Sequence, residues 1–218
     1  MAGKDLRTEA RSRVTLNQVA PFAVLVLVLF AFALEPDRGV LARAAAGLFW
    51  VAVLFSAVLA VQRSHTLESS EEIRDALRLS GLDPAGIFLG KAAAVAVQLA
   101  VLEVVLGAGV VLLYEVDPTA LGTLATTAAV ATVGLAAAGT LYGVLVAGLR
   151  VRETLLPLLL LPVVAPVLIA ATRASEPALG ATVPLGVATG QWLGLLGVFA
   201  VVYLGFGVLA FGPLLEDA

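Results

Sequence analysis

Residues 44–61, AAAGLFWVAVLFSAVLAV, and residues 92–114, AAAVAVQLAVLEVVLGAGVVLLY, enclose residues 62–91, QRSHTLESSEEIRDALRLSGLDPAGIFLGK. The outer runs contain one charged side chain, Glu103, whereas the middle one carries Arg63, Arg74, Arg78, Lys91 and several acids. A helix needs about 20 residues to cross about 30 Å of hydrocarbon, so each outer run is long enough, or nearly so, for a span. Inside lipid every backbone N–H and C=O must be paired within its own segment, which makes such spans helical. Strands of a membrane barrel would alternate over about 10 residues, and these runs do not alternate.

The same pattern repeats on both sides. Residues 14–34 form a first span, with Pro21 early enough to be tolerated. The third helix is expected to begin before its apolar run, at residue 84, because Asp83 suits an N-cap and Pro84 the first helical position. A fourth span, 120–149, exceeds one perpendicular crossing, so tilt or bending is expected, with Gly134, Gly139, Gly143 and Gly148 as close-contact positions. Pro157, Pro162 and Pro166 interrupt the fifth, 155–172, and predict a kink. The sixth is 191–211. Residues 177–190 are too few to cross and too apolar for an ordinary loop, which suggests a re-entrant or interfacial segment packed on protein. The expectation is an all-α, single-domain chain (1–218) with six transmembrane helices.

Composition narrows function. Hydrophobic residues make up 61% of the 218, leaving no room for a soluble domain in the longest charged connection. The net charge of −3 gives no basic surface for nucleic acid. With no Cys, disulfides, thiolate metal sites and thiol catalysis are excluded, and His65 alone makes no metal cluster. The first apolar run lacks a small-residue cleavage motif and is expected to be a retained span. Ten of the 13 Lys and Arg fall in the N-terminal tail and in the loops after spans two and four, whereas Arg38, Arg43 and Arg173 lie opposite. The positive-inside rule then puts both termini in the cytoplasm.

That orientation makes 62–91 a cytoplasmic loop. Ser69 and Glu72 fit a capping box, so a helix of about residues 70–80 is expected. Ile73, Ala76 and Leu77 fall on one face, with Glu71, Glu72, Arg74, Asp75 and Arg78 filling the rest. Such a helix suits docking into a groove on a soluble partner, and equally suits lying on lipid headgroups. Leu6, Ala10 and Val14 give the N-terminal segment a similar choice between an interfacial helix and a free tail.

Catalytic motifs are lacking. The stretch 86–92, GIFLGKA, is one residue short of a P-loop, has Ala in place of the magnesium-binding hydroxyl, and sits in a predicted helix. Work driven by ATP therefore needs a separate ATPase subunit. Gly86 and Gly90 are assigned instead to close packing. There is no nucleophile elbow and no zinc-protease motif. Iron in haem would need axial His, Met, Cys or Tyr; the chain has one His, one Met and no Cys, so haem ligation by it is not expected apart from a site based on its three Tyr.

Three residues inside or beside spans carry meaning. Glu103 stands in mid-membrane, where an acid costs about 2.5–3.5 kcal/mol on insertion scales, so it is not expected to face lipid as an anion. A substrate path, a proton site or a partner contact would use it, and a neutral acid bonded between helices would explain it structurally. Arg43, at the mouth of span two, can snorkel to the interface, and Trp50 is assigned to the interface with it.

Pro36-Asp37, Leu41-Ala42-Arg43, Gly47, Trp50-Val51-Ala52, Leu59-Ala60, Arg63 and Leu89-Gly90-Lys91, with Pro162, Pro166 and Ile169-Ala170-Ala171-Thr172, form a set. This set resembles the haem exporter protein B (CcmB) family, the membrane subunit of the cytochrome c maturation ABC transporter. None of these motifs is catalytic, and they mark architecture. The chain departs from the family pattern in 71–75, which lack a glycine, at Gln62, where an acid is usual, and at Glu103.

The resemblance implies an ABC-2-type exporter permease of six spans in the bacterial inner membrane. It implies a homodimer above two ATPase subunits (protein A of the exporter), which bind ATP and magnesium. Glu72, Ile73, Ala76 and Leu77 would form the ATPase-coupling helix. A haem-handling membrane protein C, a small protein D and a haem chaperone E would be partners, with haem bound there and not by this chain. Two other readings stay open: a lipid or polysaccharide exporter permease of the same plan, and a proton-coupled carrier using Glu103.

Overall fold

The apolar runs become helices in the computed structural model, which describes residues 14–34, 38–66, 83–147, 149, 151–180 and 188–217. In chain order they are α1 (Val14–Leu34), α2 (Arg38–Thr66), α3 (Pro84–Tyr114), α4 (Leu121–Ala147), α5 (Arg152–Ser175) and α6 (Thr189–Asp217), with a 3-10 turn, Pro177–Leu179, after α5. Five helices, α2 to α6, contain segments of 22 to 31 residues apolar enough to cross a membrane, and the apolar part of α1, Val19–Leu34, is shorter. Several helices outrun their apolar stretches: α2 continues to Thr66 and α6 to Asp217. Once a helix is nucleated, each added residue gains a hydrogen bond, so the backbone does not stop where hydrophobicity does.

α4 is the central helix. Within its span 72% is buried, against 17% for α6, which lies at the periphery. It packs against α2, α3, α5 and α6. Small side chains make this possible: Ala136, Ala137, Ala138 and Thr140 are all buried, and small residues let helix backbones approach. At Gly139 an added Cβ would stand 2.5 Å from Val61 Cγ2 of α2, and at Gly134 one would stand 3.0 Å from Phe199 Cδ1 of α6. On α6, Gly207 accommodates the Phe88 ring of α3, which a Cβ would strike. Gly86 differs from its assignment to close packing. Nothing lies within 4 Å of a Cβ placed there, so it needs no small residue.

α3 starts where the sequence places it, with Asp83 at the N-cap position. Pro84 occupies the first turn, but the Asp83 side chain makes no capping bond. Its backbone carbonyl accepts from the Ile87 N–H at 3.1 Å instead, and the exposed carboxylate is left to solvent. α5 runs unbroken through Pro157, Pro162 and Pro166. Each proline lacks a donor and crowds the carbonyl four residues earlier, and the last two lie on the exposed flank.

The turn between α3 and α4 is tied to the segment after α5. Glu115 ends α3 in the left-handed conformation (φ 52°). The Thr119 N–H donates to the Ala178 carbonyl at 2.8 Å, and its hydroxyl donates to the same oxygen at 3.2 Å. Ala178 and Leu179 are buried against the helices, so this part of 177–190 packs on protein, while 181–187 lie outside the described residues.

Candidate functional site: a groove on the α3–α4 flank

α3 and α4 are consecutive antiparallel helices joined by a short turn, which brings residues equidistant from the turn to the same depth. Glu103 lies about 16 Å before Tyr114, and Thr132 about 16 Å after Leu121, at 1.5 Å per residue. They meet: Thr132 Oγ1 donates to Glu103 Oε1 at 2.5 Å. Both are buried, Glu103 being 7% exposed. Among the described residues Thr132 is the hydrogen-bond partner of this carboxyl.

The pair lines a cavity of about 730 Å³ between α3, α4 and α2. Its α3 wall includes Ala100, Val104 and Gly107, and its α4 wall Ala125, Ala128 and Ala129. Phe49 and Trp50 of α2 form the back. Pro118, Leu121 and Leu179 lie at the end nearest the α3–α4 turn. Val104 and Leu121 are 74% and 69% exposed, so the cavity opens sideways, on the flank of the bundle.

A second polar pair borders the back wall. Trp50 Nε1–H donates to Ser175 Oγ at 3.1 Å, and Ser175 in turn donates to the Ala171 carbonyl at 2.7 Å. Trp50 is 1% exposed and tied to α5. The indole N–H, assigned in the sequence to the membrane interface, finds its partner inside the protein, at the last residue of α5. Arg43 is exposed on α2. Glu72, Ile73, Ala76 and Leu77 lie outside the described residues, between the end of α2 at Thr66 and the start of α3 at Pro84.

The groove thus joins two residues singled out in the sequence, Glu103 and Trp50, with two that were not, Thr132 and Ser175. The signal for Thr132 was its distance from the α3–α4 turn, which matches that of Glu103. Ser175 had no comparable signal, because its partner is 125 residues away. Among the described residues no group of three or more His, Cys, Asp or Glu could hold a metal ion.

A bundle of apolar helices long enough to cross a bilayer, with its one mid-span acid paired between helices, defines a multi-pass membrane protein. The family model described as CcmB protein matches residues 1–216, and the chain belongs to that family. It is 30% identical over 209 residues to heme exporter protein B of Haemophilus influenzae, covering 95% of this chain and 93% of that one. It is also 30% identical over 170 residues to heme exporter protein B of Paracoccus denitrificans, covering 76% of each.

Proposed function

We propose that this chain is the permease subunit of an ABC transporter that serves haem delivery in cytochrome c biogenesis. The observation that carries the reading is the match, over 95% of the chain, to a protein named heme exporter protein B. The chain burns no fuel itself. A separate ATPase subunit binds ATP and magnesium, and the helix bearing Glu72, Ile73, Ala76 and Leu77 docks on it. ATPase closure moves α2 and α3, which leave the two ends of that loop, and α4 follows because both pack against it.

Two copies of the chain pair above two ATPase subunits, in the bacterial inner membrane with both termini cytoplasmic. Haem stays with partner proteins: the haem-handling membrane protein, its small companion and the chaperone that the stroke releases. The groove lining offers Glu, Thr and Ser but no His, Met, Cys or Tyr, which favours a mechanical part for this subunit over iron ligation.

The test is affinity purification of the chain from native membranes in mild detergent, with partners identified by mass spectrometry. A nucleotide-hydrolysing subunit and a haem-handling membrane protein are expected, and deletion of the chain is expected to leave c-type cytochromes without haem. A chain that purifies without any ATPase, in cells whose cytochrome c matures normally without it, overturns the reading.

A further inference from the structure

The proposed mechanical role gives the α3–α4 groove no task, yet the groove is built like a ligand site. Small-molecule sites are typically about 300–1,000 Å³, mostly apolar, with a few placed polar groups. At about 730 Å³ the groove falls within that range. Its walls are Ala, Val, Leu and aromatic side chains, and Glu103 is the one ionisable group among them.

Three observations choose the occupant. The first is chemical. Glu103 is buried, lines the groove, and has one oxygen bonded to Thr132. Among the described residues Thr132 bonds one oxygen only, which leaves the other open to a donor from a ligand in the groove. A cationic donor does this best, because a charge-assisted bond is roughly twice as strong as a neutral one.

The second is size. A spanning helix is about 10 Å across and 30 Å long, about 2,400 Å³, more than three times the groove. A partner helix could lie over the groove but not inside it, whereas one hydrocarbon-bodied molecule fits.

The third is position. Glu103 sits near the middle of α3's bilayer-crossing stretch, about 16 Å from its end at Tyr114 by helical rise. The amine of a phospholipid headgroup is held at the interface and does not reach that depth. The groove opens sideways through Val104 and Leu121, so an apolar body enters from the hydrocarbon.

We propose that the α3–α4 groove is a binding site for a lipophilic amine: one apolar chain or ring body carrying a single cationic nitrogen that bonds Glu103. The Phe49 and Trp50 side chains at the back add aromatic surface to which a cation is attracted. This inference goes beyond the transport role and needs no ATPase.

Trp50 reports on the site. The chain has two Trp, at 50 and 192, so Trp192→Phe leaves Trp50 as the sole indole. The full chain with that substitution, in phosphatidylcholine nanodiscs without nucleotide, is titrated with ω-bromododecylamine and with ω-bromododecanol, whose bromine quenches indole on contact. The amine is expected to quench saturably, with an apparent Kd about ten-fold below that of the alcohol. Glu103→Gln keeps the shape and the Thr132 bond and is expected to bring the two probes to the same Kd. Ala129→Phe, at the exposed rim, is expected to abolish saturable quenching by both, and it carries the test if Glu103→Gln does not fold. Equal Kd values in the parent, quenching that only rises linearly with probe, or an amine preference that survives Glu103→Gln overturns the proposal. Loss of ATPase association in other experiments leaves this measurement unaffected, so the two readings fail separately.

Discussion

The Thr132 hydroxyl donates a hydrogen bond to Glu103 Oε1 at 2.5 Å, a bond that joins α3 to α4 at mid-depth. Removing that donor by Thr132→Val keeps the side-chain shape and leaves a buried carboxyl with no partner. The expected cost is about 1–2 kcal/mol, within the range for orphaned buried groups and interhelical bonds in membranes. Glu103→Gln, whose carbonyl still accepts, is expected to stay within about 1 kcal/mol of the parent. Thermal unfolding in detergent separates the two, and equal Tm values for both variants would remove this bond from the account of stability.

The same substitution elsewhere on α4 has the opposite sign. Thr127 Oγ1 and Thr140 Oγ1 are buried, and among the described residues neither has a hydrogen-bond partner. Thr127→Val and Thr140→Val are each expected to stabilise by about 1 kcal/mol, the penalty for burying an unpaired hydroxyl. Unfolding midpoints that fall in both would contradict the bonding described for α4.

On α6, glycines divide by surroundings. Gly207→Ala drives a methyl into the Phe88 ring, which is fully buried, and is expected to cost about 1–3 kcal/mol. Gly205→Ala has open space and is expected to be neutral or to gain up to about 1 kcal/mol from helix propensity. Phe88→Leu combined with Gly207→Ala is expected to recover part of the loss. Identical Tm shifts for the two glycine variants would count against the packing of α3 on α6.

For the loop, Ile73→Asp and Leu77→Asp each remove an apolar side chain from the segment proposed to dock on the ATPase. Burying such a side chain contributes about 1.5–3 kcal/mol, so co-purified ATPase is expected to drop about ten- to hundred-fold. Glu71→Lys, off that face, is the control. Unchanged recovery of ATPase with both aspartates would place the docking surface elsewhere.

Orientation can be read on a background free of Cys. Asp117→Cys, in the exposed turn between α3 and α4, is expected to react with an impermeant maleimide added outside the cell. Arg74→Cys is expected to react only after permeabilisation. The reverse pattern inverts the proposed topology.

The six-helix plan was legible because lipid leaves few options: long uncharged runs must be helices, and a lone acid such as Glu103 stands out against them. What the sequence hid was pairing across distance. Thr132 looks like any other threonine of α4 until α3 is laid beside it. Trp50 reads as an interfacial aromatic because its indole is amphipathic, and only the fold shows Ser175 satisfying its N–H. Gly86 looked like a contact glycine by composition, yet open space surrounds it. Helix ends were similarly concealed, since α2 carries its backbone ladder beyond Val61 into polar residues as far as Thr66.

Thr119 fastens to Ala178 across 59 residues of chain, so the α3–α4 hairpin and the end of α5 are buttoned together without any covalent bridge. The push proposed for the far ends of these helices would have a pivot here. Sliding of the hairpin along α5 would break both Thr119 bonds to the Ala178 carbonyl, whereas splaying or twisting about them like the blades of a pair of shears would not. Swapping Thr119 for Val keeps only the backbone half of the fastening, and looser spin-label distances between residues 117 and 179 would measure how far the fulcrum gives.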